Sequence, residues 1–122
     1  MEKGELYVFR REQQVIGAVV LNREESEEWA LVPWQCSVPA LVIHALVLDP
    51  SFQGRGLGSQ ALDRIERFAS ENKYHSIRLD LFPGNKAAEC FYSHHGYEYR
   101  GEVTFKIKPP GHQVYHCFEK RI

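Results

Sequence analysis

A chain of 122 residues, 43% hydrophobic and 25% charged, fits one ordinary globular domain, 1–122, that can bury roughly two-thirds of its unfolded surface. Its formal charge of −1, from 15 basic and 16 acidic side chains, comes without a basic stripe and weighs against a nucleic-acid partner. No apolar run approaches the ~20 residues of a membrane span, and Met1-Glu2-Lys3 leads into no apolar signal region. Cys36, Cys90 and Cys117 have no paired spacing, so free thiols in a reducing cytoplasm, and no membrane, are expected.

Leu6–Arg10 and Val15–Leu21 read as an antiparallel hairpin closed by the polar turn Arg11-Glu12-Gln13-Gln14. Gly17 in the second strand marks a bulge or a close backbone approach. Asn22–Glu28, with Glu24, Glu25, Glu27 and Glu28, reads as an exposed loop whose acidity is either plain solvation or an attraction for a cationic amine. Ala30–Ala40, with two prolines and Trp34, predicts an irregular, partly buried connection. Trp34 is either core or a broad face for an aromatic or cationic molecule.

Leu41–Leu48 is apolar, rich in Val, Leu and Ile, and ends at Asp49-Pro50, the pattern of a strand buried on both faces. In Gln53-Gly54-Arg55-Gly56-Leu57-Gly58 the alternate glycines let the backbone take positive φ and approach a ligand closely. Leu57, Ala61, Leu62, Ile65 and Phe68 recur at helical spacing and predict a helix from about Gly56 to Glu71. A strand, a glycine bend and a helix N-terminus form an anion site. The third glycine comes one position early for a dinucleotide fingerprint, and the lysine of a nucleoside-triphosphate loop is missing. That leaves phosphate or pyrophosphate of an unspecified ligand, or a plain turn.

Ser76–Leu81 alternates as a strand, completing a right-handed parallel unit with the strand and helix before it. Pro83-Gly84 turns the chain, Asn85 caps a short helix to His95, and Gly96 stops it. Tyr97–Lys106 and Val114–Lys120 predict a final antiparallel pair around Lys108-Pro109-Pro110-Gly111. The order is β-β-β-α-β-α-β-β, an α/β fold with a mixed central sheet and no second domain or repeat.

Along the third strand, simple alternation places Val42, His44, Leu46 and Leu48 on one face. His44 is either a core histidine or a base, and its ordinary pKa of ~6.5 suits proton abstraction near neutrality. Cys90 is expected to be a buried thiol. His112, His116 and Cys117 do not suggest a metal, because strand residues four apart lie ~13 Å from each other. His94-His95 suits a helix C-terminus. No metal is expected.

Gln53-x-x-Gly56-x-Gly58 resembles the acetyl-CoA signature, Gln/Arg-x-x-Gly-x-Gly/Ala, of the GNAT superfamily of N-acetyltransferases. Leu46-Val47-Leu48-Asp49-Pro50 is similar to that family's central strand and turn. Asn85-x-x-Ala88-x-x-Phe91-Tyr92-x-x-x-Gly96-Tyr97 is similar to its second motif. The resemblance implies acetyl-CoA as cosubstrate and direct transfer to a primary amine in a ternary complex. A non-catalytic acetyl-CoA sensor or regulatory subunit is the alternative, and a hydrolase or transferase using another phosphorylated ligand is a further one.

By the same resemblance, backbone groups of Leu46, Val47 and Leu48 would pair with the pantetheine arm like an added strand, with an N–H near Leu46 at the oxyanion. Gln53, Gly54, Arg55, Gly56, Leu57, Gly58 and Ser59 would hold the pyrophosphate. Asn85 would bond the arm while capping its helix. Tyr92, about two turns further along, would reprotonate the leaving thiolate, its phenol pKa being ~10; otherwise it is a buried aromatic beside Phe91. His44-Ala45-Leu46-Val47 is similar to the arylalkylamine branch, whose histidine is the base through water. The glutamate of the histone-acetylating branch corresponds to Val42 and is absent.

The family usually has one more strand and two more helices in front. Their expected absence leaves the acceptor wall to a longer chain or to another subunit, hence a homodimer. The acceptor, a small-molecule or peptide amine, is not specified by these residues. Glu24–Glu28 favours a cationic small molecule.

Overall fold

The structure, a computed structural model, describes residues 6–50 and 56–122. One sheet carries the strands in the order β1-β2-β3-β4-β6-β5. They are β1 (Leu6–Arg11), β2 (Gln14–Asn22), β3 (Ala40–Leu48), β4 (Ser76–Leu81), β5 (Glu98–Thr104) and β6 (Val114–Arg121). Helix α1 (Leu57–Glu71) links β3 to β4, α2 (Lys86–His94) links β4 to β5, and a 3-10 turn spans Glu27–Leu31.

The first hairpin is tighter than expected. Only Glu12 and Gln13 connect β1 to β2, and Glu12 takes φ 58°. Phe9 pairs with Gly17 and Arg10 with Val15, so Ile16 is an extra residue beside the glycine. Gly17 is also a close approach, because a Cβ there would lie 2.7 Å from the Val47 carbonyl oxygen and from Leu48 Cδ2. The expected loop Asn22–Glu28 gives way at Glu27 to the 3-10 turn, which buries Trp29. The last pair is shorter than Tyr97–Lys106 and Val114–Lys120 suggested on one side and longer on the other, and its register shifts between Tyr99 and Gly101.

Both helices pack on one face of the sheet. Leu62, Ile65 and Ala69 of α1 and Tyr92 of α2 meet Leu41, Ile43, Ile77, Leu79 and Phe118. On the other face Trp29, Val32, Val42, Val103, Phe105 and Cys117 form a smaller core. Strand alternation therefore assigns Arg78 and Asp80 to this second face.

Two departures from a regular sheet make the site. First, β3 and β4 are parallel partners only from Ala40↔Ser76 to Val42↔Arg78. Beyond that point β4 stays on β6 as far as Leu81↔His116, while β3 stays on β2. The two central strands open into a V. Second, Leu21 pairs with Ile43 and Val20 with Ala45, so His44 is the extra residue of a β-bulge. The bulge resets the alternation: Ile43 and Leu46 both reach the helix-side core, whereas Val42 lies in the other. The expected common face of Val42, His44, Leu46 and Leu48 is thus broken. Burial on both faces holds only for Ala40–Ile43, because the rest of β3 borders the opening.

A buried ion network stands at the root of the V. Arg78 is 4% exposed and Glu119, opposite it on β6, is 0% exposed. Glu119 accepts from the Gln35 and Cys36 N–H groups at 2.9 and 3.3 Å, and from Ser76 Oγ at 3.3 Å. Arg78 Nε and Arg100 Nε donate to it at 3.2 and 3.1 Å. Arg78 also donates to Glu25 at 2.8 Å and to the Cys36 carbonyl, under the ring of Trp34 at 4.6 Å. Trp34 is therefore a partly buried residue packed against the second core with its face on Arg78, and Glu25 is structural where the sequence suggested a solvated loop.

Burial pushes the Glu119 carboxyl up, but the Gln35 N–H, Arg100 and Arg78 outweigh it and hold the group below its ordinary range. A lowered folded value means stability that is present above the unfolded pKa of ~4.3 and lost as pH falls through the folded one. Glu119→Ala is expected to cost about 3–5 kcal/mol in urea unfolding at pH 7, because it removes the buried carboxylate shared by Arg78 and Arg100 and leaves buried Arg78 with only the partly exposed Glu25 as counter-charge. It should also flatten the acid side of the stability curve. A loss under about 1 kcal/mol, the range of ordinary surface changes, would contradict the network's role.

Candidate active site

Helix α1 opens at Gly56, which takes φ 74° as its N-cap, while Leu57 is buried beneath the bend. The N-cap glycine brings no capping side chain, so the first N–H groups and the positive end of the dipole are available to a ligand. Gly58 keeps the approach clear, since a Cβ there would lie 3.3 Å from the Phe91 ring. Across the V stands α2, and between them is a cavity of about 430 Å³. It is lined by Leu46 and Leu48 of β3, Gly56, Gly58 and Ser59 of the bend, and Ala87, Ala88, Phe91 and Tyr92 of α2.

Six residues singled out from the sequence are thereby brought together: Leu46, Leu48, Gly56, Gly58, Ser59 and Tyr92. Val47 points away from the cavity and is 59% exposed. Asn85 is the α2 N-cap, its Oδ1 accepting the Ala88 N–H at 3.1 Å, and does not line the cavity. Gln53, Gly54 and Arg55 lie outside the described residues. A second cavity, about 520 Å³, shares Leu48 with the first and is flanked by Arg10, Arg11 and Arg64.

Tyr92 is 6% exposed, and burial pushes its phenol up to about 12. Among the described residues its hydroxyl has no hydrogen-bond partner. Beside it, His95 lies 2.8 Å by Nδ1 from the Phe91 carbonyl oxygen and 2.9 Å by Nε2 from Ser59 Oγ. A carbonyl only accepts, so Nδ1 carries hydrogen, and in the neutral ring Nε2 accepts from Ser59. The residue expected merely to suit a helix terminus thus orients a hydroxyl at the mouth of α1.

His44 is exposed, not a core residue. Its Nε2 lies 2.5 Å from Asn22 Oδ1, which also accepts the Glu24 N–H at 2.9 Å. The backbone donor fixes the amide oxygen's position, so His44 donates from Nε2 and its neutral ring keeps a free basic Nδ1.

Sequence reasoning missed Asp80 and Trp29. Trp29 Nε1 donates to Asp80 Oδ2 at 3.0 Å on the same face as His44. Burial raises the Asp80 pKa, and Trp29, Lys108 and His44 only partly oppose it. The signal was a carboxylate in the alternating strand Ser76–Leu81, at the register position facing His44.

All three cysteines are free. Cys36 and Cys117 are buried, whereas Cys90 is exposed, contrary to expectation. It lies two residues from Tyr92, about half a turn round the helix from the buried side. Among the described residues no three His, Cys, Asp or Glu side chains approach closely enough to hold a metal. His116 pairs with Glu89 at 2.9 Å, and His112 stacks on Phe82. No helix among the described residues is long and apolar enough to cross a membrane.

The sequence profile of the acetyltransferase (GNAT) family matches residues 1–97. The chain belongs to this family. It is similar to an uncharacterized N-acetyltransferase, YesJ, of Bacillus subtilis, with 30% identity over all of this chain and 64% of that protein. The chain thus spans somewhat less than two-thirds of that relative's length. An acetyltransferase from Bacillus cereus has 30% identity and a TM-score of 0.66 over 96% of this chain and 71% of its own. A GNAT acetyltransferase from Elizabethkingia anophelis with acetyl-CoA bound, 18% identical, shares the fold at a TM-score of 0.74 over 96% of this chain and 75% of that one. In this GNAT chain the glycine bend, the V and Tyr92 converge on one cavity.

Proposed function

We propose that the chain is an acetyl-CoA-dependent N-acetyltransferase that moves the acetyl group to a primary amine by direct attack in a ternary complex. The observation that carries this reading is the cavity where the opened edge of β3, the uncapped bend of α1 and Tyr92 meet. The outward N–H groups of the bend suit a pyrophosphate, with Leu57 anchoring the turn and Ser59 adding an oriented hydroxyl. Among the described residues the β4-side edge of Ile43–Leu48 has no strand partner, which suits an extended amide-bearing arm paired as an added strand along Leu46, Val47 and Leu48. The arginines beside the second cavity suit further phosphate charge. Gln53, Gly54 and Arg55, from the family signature, complete the proposed phosphate loop, and the side-chain nitrogen of Asn85 remains free for the arm.

Acetyl-CoA supplies a thioester already activated for transfer. The amine nitrogen bonds to the carbonyl carbon as the carbon–sulfur bond breaks, so the amine loses a proton and the sulfur gains one. His44 takes the first proton at its free Nδ1, directly or through water, the route of the arylalkylamine branch. Tyr92 supplies the second. A phenol near 12 is a poor acid toward a thiolate of ordinary pKa ~8.5. Desolvation of the leaving thiolate beside the buried Tyr92 would raise its basicity toward that of the phenol and narrow this mismatch.

Cytoplasmic residence forms part of the proposal and accords with three unpaired cysteines. A second copy of the chain completing the acceptor side is also proposed. Two partly exposed cross-strand rows, Leu6–Val20–Ala45 and Val8–Ala18–Val47, make an apolar surface on the face opposite the helices. Sedimentation should give a dimer at micromolar concentration, and a clean monomer would sink this element of the reading.

The function is tested by calorimetric titration of acetyl-CoA into the wild type, Gly56→Trp and Gly56→Ala. The open space beside Gly56 becomes an indole in the first variant. Binding should be lost there and largely kept in the second, which controls for strain at positive φ. Tyr92→Phe should keep binding and lower kcat on the order of 10²-fold or more. Binding with no turnover toward any amine would favour the non-catalytic sensor.

A further inference from the structure

Two carboxylates on the face opposite the helices, Glu119 buried and Asp80 half-buried, have opposite circumstances. Glu119 collects five donors, two of them from guanidinium groups. Asp80, two residues beyond Arg78 on β4, accepts one hydrogen bond, from the neutral indole of Trp29. Among the described residues no cation lies within ion-pair distance of it. Lys108, whose charge is felt at Asp80, rests its ammonium over the rings of Tyr115 and Phe105, 4.1 and 5.0 Å from their centroids. A half-buried carboxylate with spare lone pairs and an opening to solvent is costly unless a cation completes it.

Its position defines what that cation would be. Val42 pairs with Arg78, so two residues further along each strand His44 and Asp80 face each other across the mouth of the V. His44 is near enough for its charge to be felt at Asp80. The floor between them is aromatic and apolar, from Trp29, Phe105 and Tyr115. We propose that Asp80 is the anchor for the acceptor's ammonium group, which it seats beside His44 with the apolar stem at the edge of the Trp29–Phe105–Tyr115 cluster. The substrate class is an organic primary ammonium with a hydrophobic stem. This rests on the acetyl-transfer reading. Once seated, the ammonium passes one proton to His44 Nδ1, and the freed lone pair is directed toward the opening between β3 and β4.

The indole N–H of Trp29 reports directly on Asp80, so the test follows its nitrogen–proton resonance, assigned with a Trp34→Phe variant. The probes are 2-phenylethylamine and n-hexylamine, with 2-phenylethanol as the neutral match. Wild-type protein should show a saturable Trp29 shift with the amines and none with the alcohol. Asp80→Asn, which can still accept from Trp29, should weaken amine binding roughly tenfold or more, the worth of a charged hydrogen bond. No saturable shift with either amine, an equal shift with the alcohol, or undiminished binding to Asp80→Asn would overturn the proposal. If the variant does not fold, the amine and alcohol arms decide in the wild-type chain. Acetyl-CoA is titrated into the same samples and read at the Ala87 and Ala88 amides. Failure there with ammonium binding intact would refute the transferase reading and leave the ammonium site standing, and the converse would refute only the anchor.

Discussion

Parallel pairing between β3 and β4 covers only Ala40–Val42 against Ser76–Arg78, and the placement of everything functional follows from where it stops. The last paired residue on β4 is Arg78, whose guanidinium is tied to β6 through Glu119 and to the 32–36 segment through the Cys36 carbonyl. β4 is thereby committed to β6. β3 is equally committed to β2, where Gly17 allows Leu48 and the Val47 carbonyl to come closer than any side chain would permit. Strands held to opposite partners cannot also remain together. Their separation leaves a strand edge and a cavity without unfolding anything, because the cost is met by saturated hydrogen bonding at the root.

The bulge at His44 determines what this opening displays. Without it, Leu46 would follow Val42 to the second face, away from the helices. With it, Leu46 and Leu48 line the cavity between α1 and α2, while the His44 ring reaches Asn22 on the outside. One extra residue thus separates an apolar cofactor side from a polar acceptor side along a single strand. The two sides differ in their electrostatics too. Tyr92 sits dry and without a partner, so its proton is held tightly, whereas His44 is wet and fixed in the tautomer that leaves Nδ1 basic.

Local pattern carried the elements well. The hairpin, the apolar third strand, the amphipathic stripe Leu57–Phe68 and the Asn85 cap are each encoded within a few neighbours, and each formed where the pattern put it. What was not legible depends on residues far apart. The run Leu41–Leu48 is apolar at nearly every position, so shifting its alternation by one residue leaves no mark in the sequence. Glu119 lies between Phe118 and Lys120 like any strand residue, and its donors come from positions 35, 36, 76, 78 and 100. Trp29 follows a run of glutamates whose polarity hides its burial. Asp80 occupies a polar beat of an alternating strand, and only the fold sets it against His44. The exposure of Cys90 could have been deduced once Tyr92 was fixed as the buried side of a nine-residue helix.

The central claim is that acetyl-CoA enters the V and pairs with the free edge of β3. Hydrogen exchange followed by mass spectrometry, with and without acetyl-CoA, tests it most directly. The account predicts new protection confined to 44–48, the start of α1 and 86–92, with β5 and β6 unchanged. Protection absent from 44–48, or found only at the arginine-flanked cavity beside the first hairpin, would contradict it.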